Sequence, residues 1–178
     1  LAPDTSAVIT LAAGNAAAVA FVQEPSVVTA GAAITPSPSV RVQDGAGNLV
    51  TTPAQTVVLS ISTNPGGATL SGATSVATVS GLATFPGLSL DRSGTGYRLR
   101  AVAGALVPDT SAAFNVTPGA AARLRIVQEP GASTAGQAIA PSPVVRVEDA
   151  NGNVVTSSTA SIAAALAAIA FIEFWPKD

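Results

Sequence analysis

Val40-Arg41-Val42-Gln43-Asp44-Gly45-Ala46-Gly47-Asn48 decides the fold. Val40 and Val42 alternate with Arg41 and Gln43, the period-two pattern of a strand with one buried and one wet face. The alternation then breaks on Asp44-Gly45-Ala46-Gly47-Asn48. Gly and Asn tolerate positive φ, and an Asp side chain accepts hydrogen bonds from backbone N–H groups just ahead of it, so the chain reverses there. The same nine positions return as Val145-Arg146-Val147-Glu148-Asp149-Ala150-Asn151-Gly152-Asn153.

Working outward, residues 22–51 and 127–156 align at an offset of 105, with 20 of 30 positions identical. Val22-Gln23-Glu24-Pro25, Thr29-Ala30-Gly31 and Pro36-Ser37-Pro38 all recur at that offset. Leu1–Thr5 returns as Leu106–Thr110, and Thr5–Leu11 matches Thr110–Val116. A period of about one domain length predicts an array of modules, not a thin solenoid. The expected division is a terminal strand of a preceding repeat over 1–14, a complete repeat over 15–118, and a truncated second repeat over 119–178. The absence of Met sets the expectation that Leu1 follows a processing or excision point.

Further alternation predicts further strands. Val57, Leu59 and Ile61 share a face, as do Tyr97 and Leu99 against Arg98 and Arg100. Leu124 and Ile126 oppose Arg123 and Arg125, and Val145 and Val147 oppose Arg146 and Glu148. Ala112, Phe114 and Val116 line one more face, and Ser161–Leu166 stands where Thr56–Ile61 does. Asn64-Pro65-Gly66-Gly67, Ser80-Gly81 and Ser93-Gly94-Thr95-Gly96 supply turns between them. Short strands about ten residues apart, joined by such turns, predict an all-β antiparallel sandwich. The Pro-Ser-Pro triplets suit an extended lead-in to a strand or a protected edge.

The D-x-x-G-N turn at Asp44–Asn48, the G-x-A-T-F segment at Gly81–Phe85 and the G-T-G-Y segment at Gly94–Tyr97 resemble bacterial immunoglobulin-like repeats. The likeness is to the repeats of invasin- and intimin-like adhesins and large tandem-repeat surface proteins. It spans about residues 17–117 in full and 120–160 in part. The resemblance implies an immunoglobulin-like sandwich in an extracellular or cell-surface stalk or spacer, with a glycan or host surface protein as candidate ligand.

Composition excludes several chemistries. There is no Cys and no His, so Ser-His-Asp and Cys-His catalysis, disulfides and Cys/His zinc sites are out of reach. No phosphate loop occurs. No metal or other cofactor is implied: the two Asp turns lack the alternating acidic ligands and terminal Glu of a calcium loop. A net charge of −2 without clustered Lys or Arg argues against nucleic acid as partner. The apolar run from Ile162 to Ile172 is shorter than the ~20 residues of a spanning helix, so no membrane span is expected.

General acid/base work would fall to carboxylates alone. Glu24, Glu129, Asp4 and Asp109 repeat with the module and read as structural. Glu148 and Asp149 are adjacent and would face opposite sides of a strand. The non-repeating acids Asp91, Glu173 and Asp178 are the catalytic candidates if the chain is a hydrolase with a site at an oligomer interface, for example of glycosidase type. The arginines at outward strand positions are read as a solvated face that discourages edge-to-edge pairing.

The second copy ends in an atypical hydrophobic tail over 161–178, which departs from the first copy after about residue 166 and holds the only Trp. A foreign tail from a cloning junction or a shifted reading frame would account for it. A half-built sandwich exposes an apolar face and strand edges, which favours a homo-oligomer through strand addition or swapping. Phe171, Phe174 and Trp175 are the candidate association residues. The leading expectation is a non-catalytic structural or adhesive module; the alternative is the carboxylate hydrolase.

Overall fold

The computed structural model describes Thr5 and residues 12–165. Its described residues form strands, turns and loops. The strands are β1 (Ala16–Gln23), β2 (Val28–Thr29), β3 (Ser39–Asp44), β4 (Thr56–Thr63), β5 (Leu70–Ser71), β6 (Ser75–Ala77) and β7 (Leu82–Thr84). They continue with β8 (Ser89–Leu90), β9 (Gly94–Val102), β10 (Asp109–Thr110), β11 (Phe114–Thr117), β12 (Arg123–Gln128) and β13 (Val144–Glu148).

Two sheets make the sandwich. One has the order β1-β3-β7; the other runs β2-β11-β9-β4-β6, with β10 also paired to β9. Alternation along each strand fills the space between them. Val40 and Val42 of β3 and Ala83 of β7 meet Val57 and Leu59 of β4, Tyr97, Leu99 and Ala101 of β9, and Phe114 and Val116 of β11 in one buried cluster. The pairs are antiparallel except β2 with β11, where Val28 lies parallel to Val116. A parallel bridge between Ala18 and Val107 ties β1 to the other sheet's side of the chain.

Most of the expected strands form where alternation places them. Pro38 is buried at the lead-in to β3, and its carbonyl accepts the Phe85 N–H at 2.9 Å. Ser80-Gly81 makes a two-residue hairpin with φ of 49° and 79°, and Val79 and Leu82 exchange both backbone bonds across it. A Cβ on Gly81 would collide with the Val50 carbonyl, so this turn needs glycine for space as well as for φ.

Tyr97 anchors the fold in a way typical of immunoglobulin-like sandwiches. Its ring is fully buried, and its hydroxyl donates back to the carbonyl of Arg92 at 2.9 Å. Burial is the main cause that raises its phenol above the ordinary value. Gly66 leaves the room for that hydroxyl, since a Cβ there would strike it and the Ser93 carbonyl.

Four expectations are corrected. Ala112 is exposed and precedes β11; its place in the interior goes to Ser111, whose hydroxyl accepts the Leu99 N–H at 2.9 Å where the β9 ladder passes from β10 to β11. Glu148 is buried, not wet, because Arg123 lies opposite it in register and Arg125 flanks it, at 3.1 and 4.0 Å. Residues 161–165 form no strand: the corresponding β4 takes its hydrogen bonds from β6 and β9, and no described residue supplies such partners in the second copy. Leu124 and Ile126 are 55% and 52% exposed, since β12 and β13 form a two-stranded sheet by themselves. The expected strand at Thr5–Leu11 lies outside the described residues apart from Thr5.

The register of the second sheet nevertheless copies the first. Leu124 pairs with Val147 as Val19 pairs with Val42, and Ile126 pairs with Val145 as Phe21 pairs with Val40. Even the irregularity between Phe21 and Gln23 returns between Ile126 and Gln128.

Candidate functional site

The two Asp turns are built alike. Asp44 Oδ1 accepts the N–H groups of Ala46 and Asn48, both at 2.9 Å, and its Oδ2 accepts the Gly14 N–H at 2.8 Å and the Asn48 side-chain amide at 3.0 Å. Asp149 Oδ1 accepts Asn151 and Asn153 N–H at 2.9 and 2.8 Å, and its Oδ2 accepts the Gly119 N–H at 2.8 Å and the Asn153 amide at 2.9 Å. Each is the Asx-type turn that the sequence predicts. Four donors on one carboxylate favour its charged form. The Asn48 amide, followed by the N–H groups of Gly14 and Asn48, holds Asp44 down at about 2. Burial pushes Asp149 up, but the Asn153 amide and the N–H groups of Gly119, Asn153 and Asn151 outweigh it and leave it lowered.

What separates the turns is their surroundings. Asn48 is exposed, whereas Asn153 is 6% exposed. The second turn is seated against the first sandwich, on the loop between β8 and β9. Asn153 Oδ1 accepts the Ser93 N–H at 2.9 Å, and its amide donates to the Asp91 carbonyl at 3.0 Å. Arg92 donates from Nη1 to the Asn151 carbonyl at 3.0 Å, and the Asn151 amide reaches the Ala30 carbonyl at 3.3 Å. Both amide protons of Asn153 are used, one on its own turn and one across the joint.

The receiving loop is itself fixed. Tyr97 holds the Arg92 carbonyl, and Asp91 Oδ1 accepts the Thr69 N–H at 2.7 Å. The plug is therefore a braced turn and the socket a braced loop, joined by the side chains of Asn153, Asn151 and Arg92 to backbone groups on the other side. Such an arrangement fixes an orientation between two units; it presents no activated nucleophile.

Of the sequence candidates, Asp91 lies at this joint, but with its carboxylate committed to Thr69 and its carbonyl to Asn153. Glu173, Asp178 and the association candidates Phe171, Phe174 and Trp175 lie outside the described residues. Two of the repeating acids brace the backbone: Asp109 Oδ2 accepts the Phe21 N–H at 2.8 Å and Glu24 Oε2 the Ala112 N–H at 3.0 Å, whereas Glu129 is exposed and Asp4 lies outside the described residues. Among the described residues no group of three or more acids, His or Cys could hold a metal ion. Nor is any described helix long and apolar enough to cross a membrane. A shallow cleft of about 380 Å³ on the outer face of β1-β3-β7 is lined by Val22, Arg41, Leu49, Val79 and Leu82.

Asn151, Asn153, Arg92 and Ser93 were not singled out by sequence as functional. The signal for Asn153 was its recurrence with Asn48; Arg92 and Ser93 occur once in the chain and had no second copy to be compared with.

No known protein family and no curated protein matches the chain. Among solved structures it is similar to a glycosyl hydrolase family 2 member from Bacteroides cellulosilyticus, at 18% identity and a TM-score of 0.44. That likeness covers 57% of this chain and 14% of the hydrolase, and is too slight to carry an argument about activity.

Proposed function

We propose that the chain is a non-catalytic segment of a tandem array of immunoglobulin-like modules, a stalk or spacer of a bacterial cell-surface protein. The observation that carries this reading is the seating of the Asp149–Asn153 turn on the Asp91–Ser93 loop. A spacer must hold successive modules in a set orientation, and two braced backbone segments bridged by Asn153 supply one. Four of the repeating acids, Glu24, Asp44, Asp109 and Asp149, fit the same role, because each accepts backbone N–H groups at a strand edge or turn. A glycan or a host surface protein is the ligand class to assay. The exposed face of β12–β13 is the surface through which copies of this chain would associate.

The test is a turnover assay with chromogenic ester, phosphoester and glycoside substrates beside a glycan array. No turnover is expected. Hydrolysis abolished by Asp91→Asn would overturn the reading in favour of the carboxylate hydrolase.

A further inference from the structure

The Asp44–Asn48 turn has every internal bond of the Asp149–Asn153 turn, with no corresponding distance differing by more than 0.1 Å. It differs in having Asn48 exposed, with the side-chain oxygen that Asn153 uses for Ser93 engaged by no described residue. The chain that leads into both turns is also equivalent. Gly14 donates to Asp44 as Gly119 donates to Asp149, both at 2.8 Å, and residues 1–14 align with 106–119, the segment that carries β10 and the final strand of the first sandwich, β11. The second turn reaches its socket because that strand, β11, delivers the chain to the end of the sandwich where Asp91–Ser93 lies.

We propose that Asp44–Asn48 is a docking plug for a preceding copy of this module, seated on that copy's Asp-Arg-Ser loop as Asp149–Asn153 is seated on residues 91–93. The proposal rests on the tandem-array reading and names the partner of a surface which that reading leaves open. The partner is fixed by chemistry on both sides. Asn48 Oδ1 takes the N–H at the Ser93 position, its second amide proton takes the carbonyl at the Asp91 position, and the Ala46 carbonyl takes the Arg92 guanidinium. Those three contacts need only groups that Asn48 and the backbone at position 46 provide. The fourth is lost, because Ala46 stands where Asn151 reaches the Ala30 carbonyl. The upstream joint therefore has the same orientation with one side-chain bond fewer.

The experiment uses the full chain preceded by one further copy of residues 15–105, which residues 1–14 complete as a module. The absence of native Cys allows nitroxide labels at introduced cysteines. In the full chain, Val79→Cys with Val127→Cys spans the observed joint; in the extended chain, Val79→Cys in the added copy with Val22→Cys spans the proposed one. All three positions are exposed, and Val22 and Val127 are equivalent in the repeat. Electron–electron distance measurements are expected to give the same narrow distribution for both pairs. Asn48→Ala is expected to abolish the narrow peak of the new pair alone. Arg92→Ala in the added copy, which leaves the Asp44 turn's own bonds untouched, is expected to broaden it as well. A broad distribution for the new pair beside a narrow one for the observed pair overturns the proposal. So does a narrow one that survives both substitutions. A broad distribution for the observed pair overturns the array reading itself.

Discussion

The hydroxyl of Tyr97 donates to the carbonyl of Arg92, and so ties the centre of the sandwich to the loop that receives the second Asp turn. Tyr97 is fully buried and stacks at a tilt on Phe114, with ring centroids 6.0 Å apart. The bond therefore couples two properties, the stability of the first module and the position of its socket. Tyr97→Phe keeps the ring and removes the bond. It is expected to cost about 1–2 kcal/mol, the usual loss for a buried hydrogen bond with one partner left unsatisfied. Urea unfolding followed by circular dichroism measures this. Amide exchange at Ser93 is expected to accelerate along with it, since that N–H is held by Asn153 only while the loop keeps its place. A variant as stable as the parent, with Ser93 equally protected, would show that the bond carries neither role.

Ser111 is the second polar group on which the interior depends. It is fully buried, its N–H donates to the Leu99 carbonyl at 2.8 Å, and its hydroxyl accepts the Leu99 N–H at 2.9 Å. Ser111→Ala leaves that N–H without a partner in a dry site, at an expected cost of about 1–3 kcal/mol. The neighbouring Ala112→Ser, at an exposed position, is expected to change stability by less than about 0.5 kcal/mol. Thermal melts of the two variants decide it; equal melting temperatures would refute the role given to Ser111.

The contrast between these neighbours shows what was legible in the sequence. Alternation located β3, β4, β9, β12 and β13, because a strand with one covered face writes its period into the residue types. It misread Ala112 because a small apolar residue sits equally well on either face, while a buried Ser finds its partners only in three dimensions. It misplaced Glu148 because a carboxylate counts as wet until an Arg from another strand lies against it. The Asx turns were legible because their bonds are local, two to four residues apart. The joint was not: three of its bonds span about sixty residues, from 91–93 to 151–153, the fourth spans 121, from Ala30 to Asn151, and no periodicity encodes such contacts.

The Asp turns make stability depend on acid. Asp44 is lowered in the fold to about 2 from an ordinary 3.8, so between those values the unfolded chain binds the proton that the folded chain refuses. Stability from this group is thus fully present above about 4 and is lost as pH falls through about 2. Asp149, also lowered, acts in the same direction. Melting temperature is expected to stay level from neutral pH to about pH 5 and to fall steeply from about pH 4 to pH 2. Asp44→Asn is expected to flatten part of that fall while lowering stability at neutral pH. A profile unchanged in shape by the substitution would assign the acid sensitivity to other carboxylates.

The face of β12–β13 leads to a prediction about the chain in solution. Leu124 and Ile126 lie on one face with their register partners Val147 and Val145, and residues 160–165 line two clefts along it, one with Leu124 and Val147, the other with Ile126 and Val145. This loose cover leaves Leu124 and Ile126 more than half exposed, whereas Val19, at the position of Leu124, is buried under the opposing sheet. Burying a Leu or Ile side chain is worth about 1.5–3 kcal/mol, and a second copy brings the same face to the contact. Light scattering across the micromolar range is expected to show a mass above that of the monomer which rises with concentration. Ile126→Lys places a charge in the middle of the face and is expected to shift the population toward monomer without unfolding the first sandwich, which it does not touch. A parent chain that stays monomeric throughout that range would exclude association through this surface.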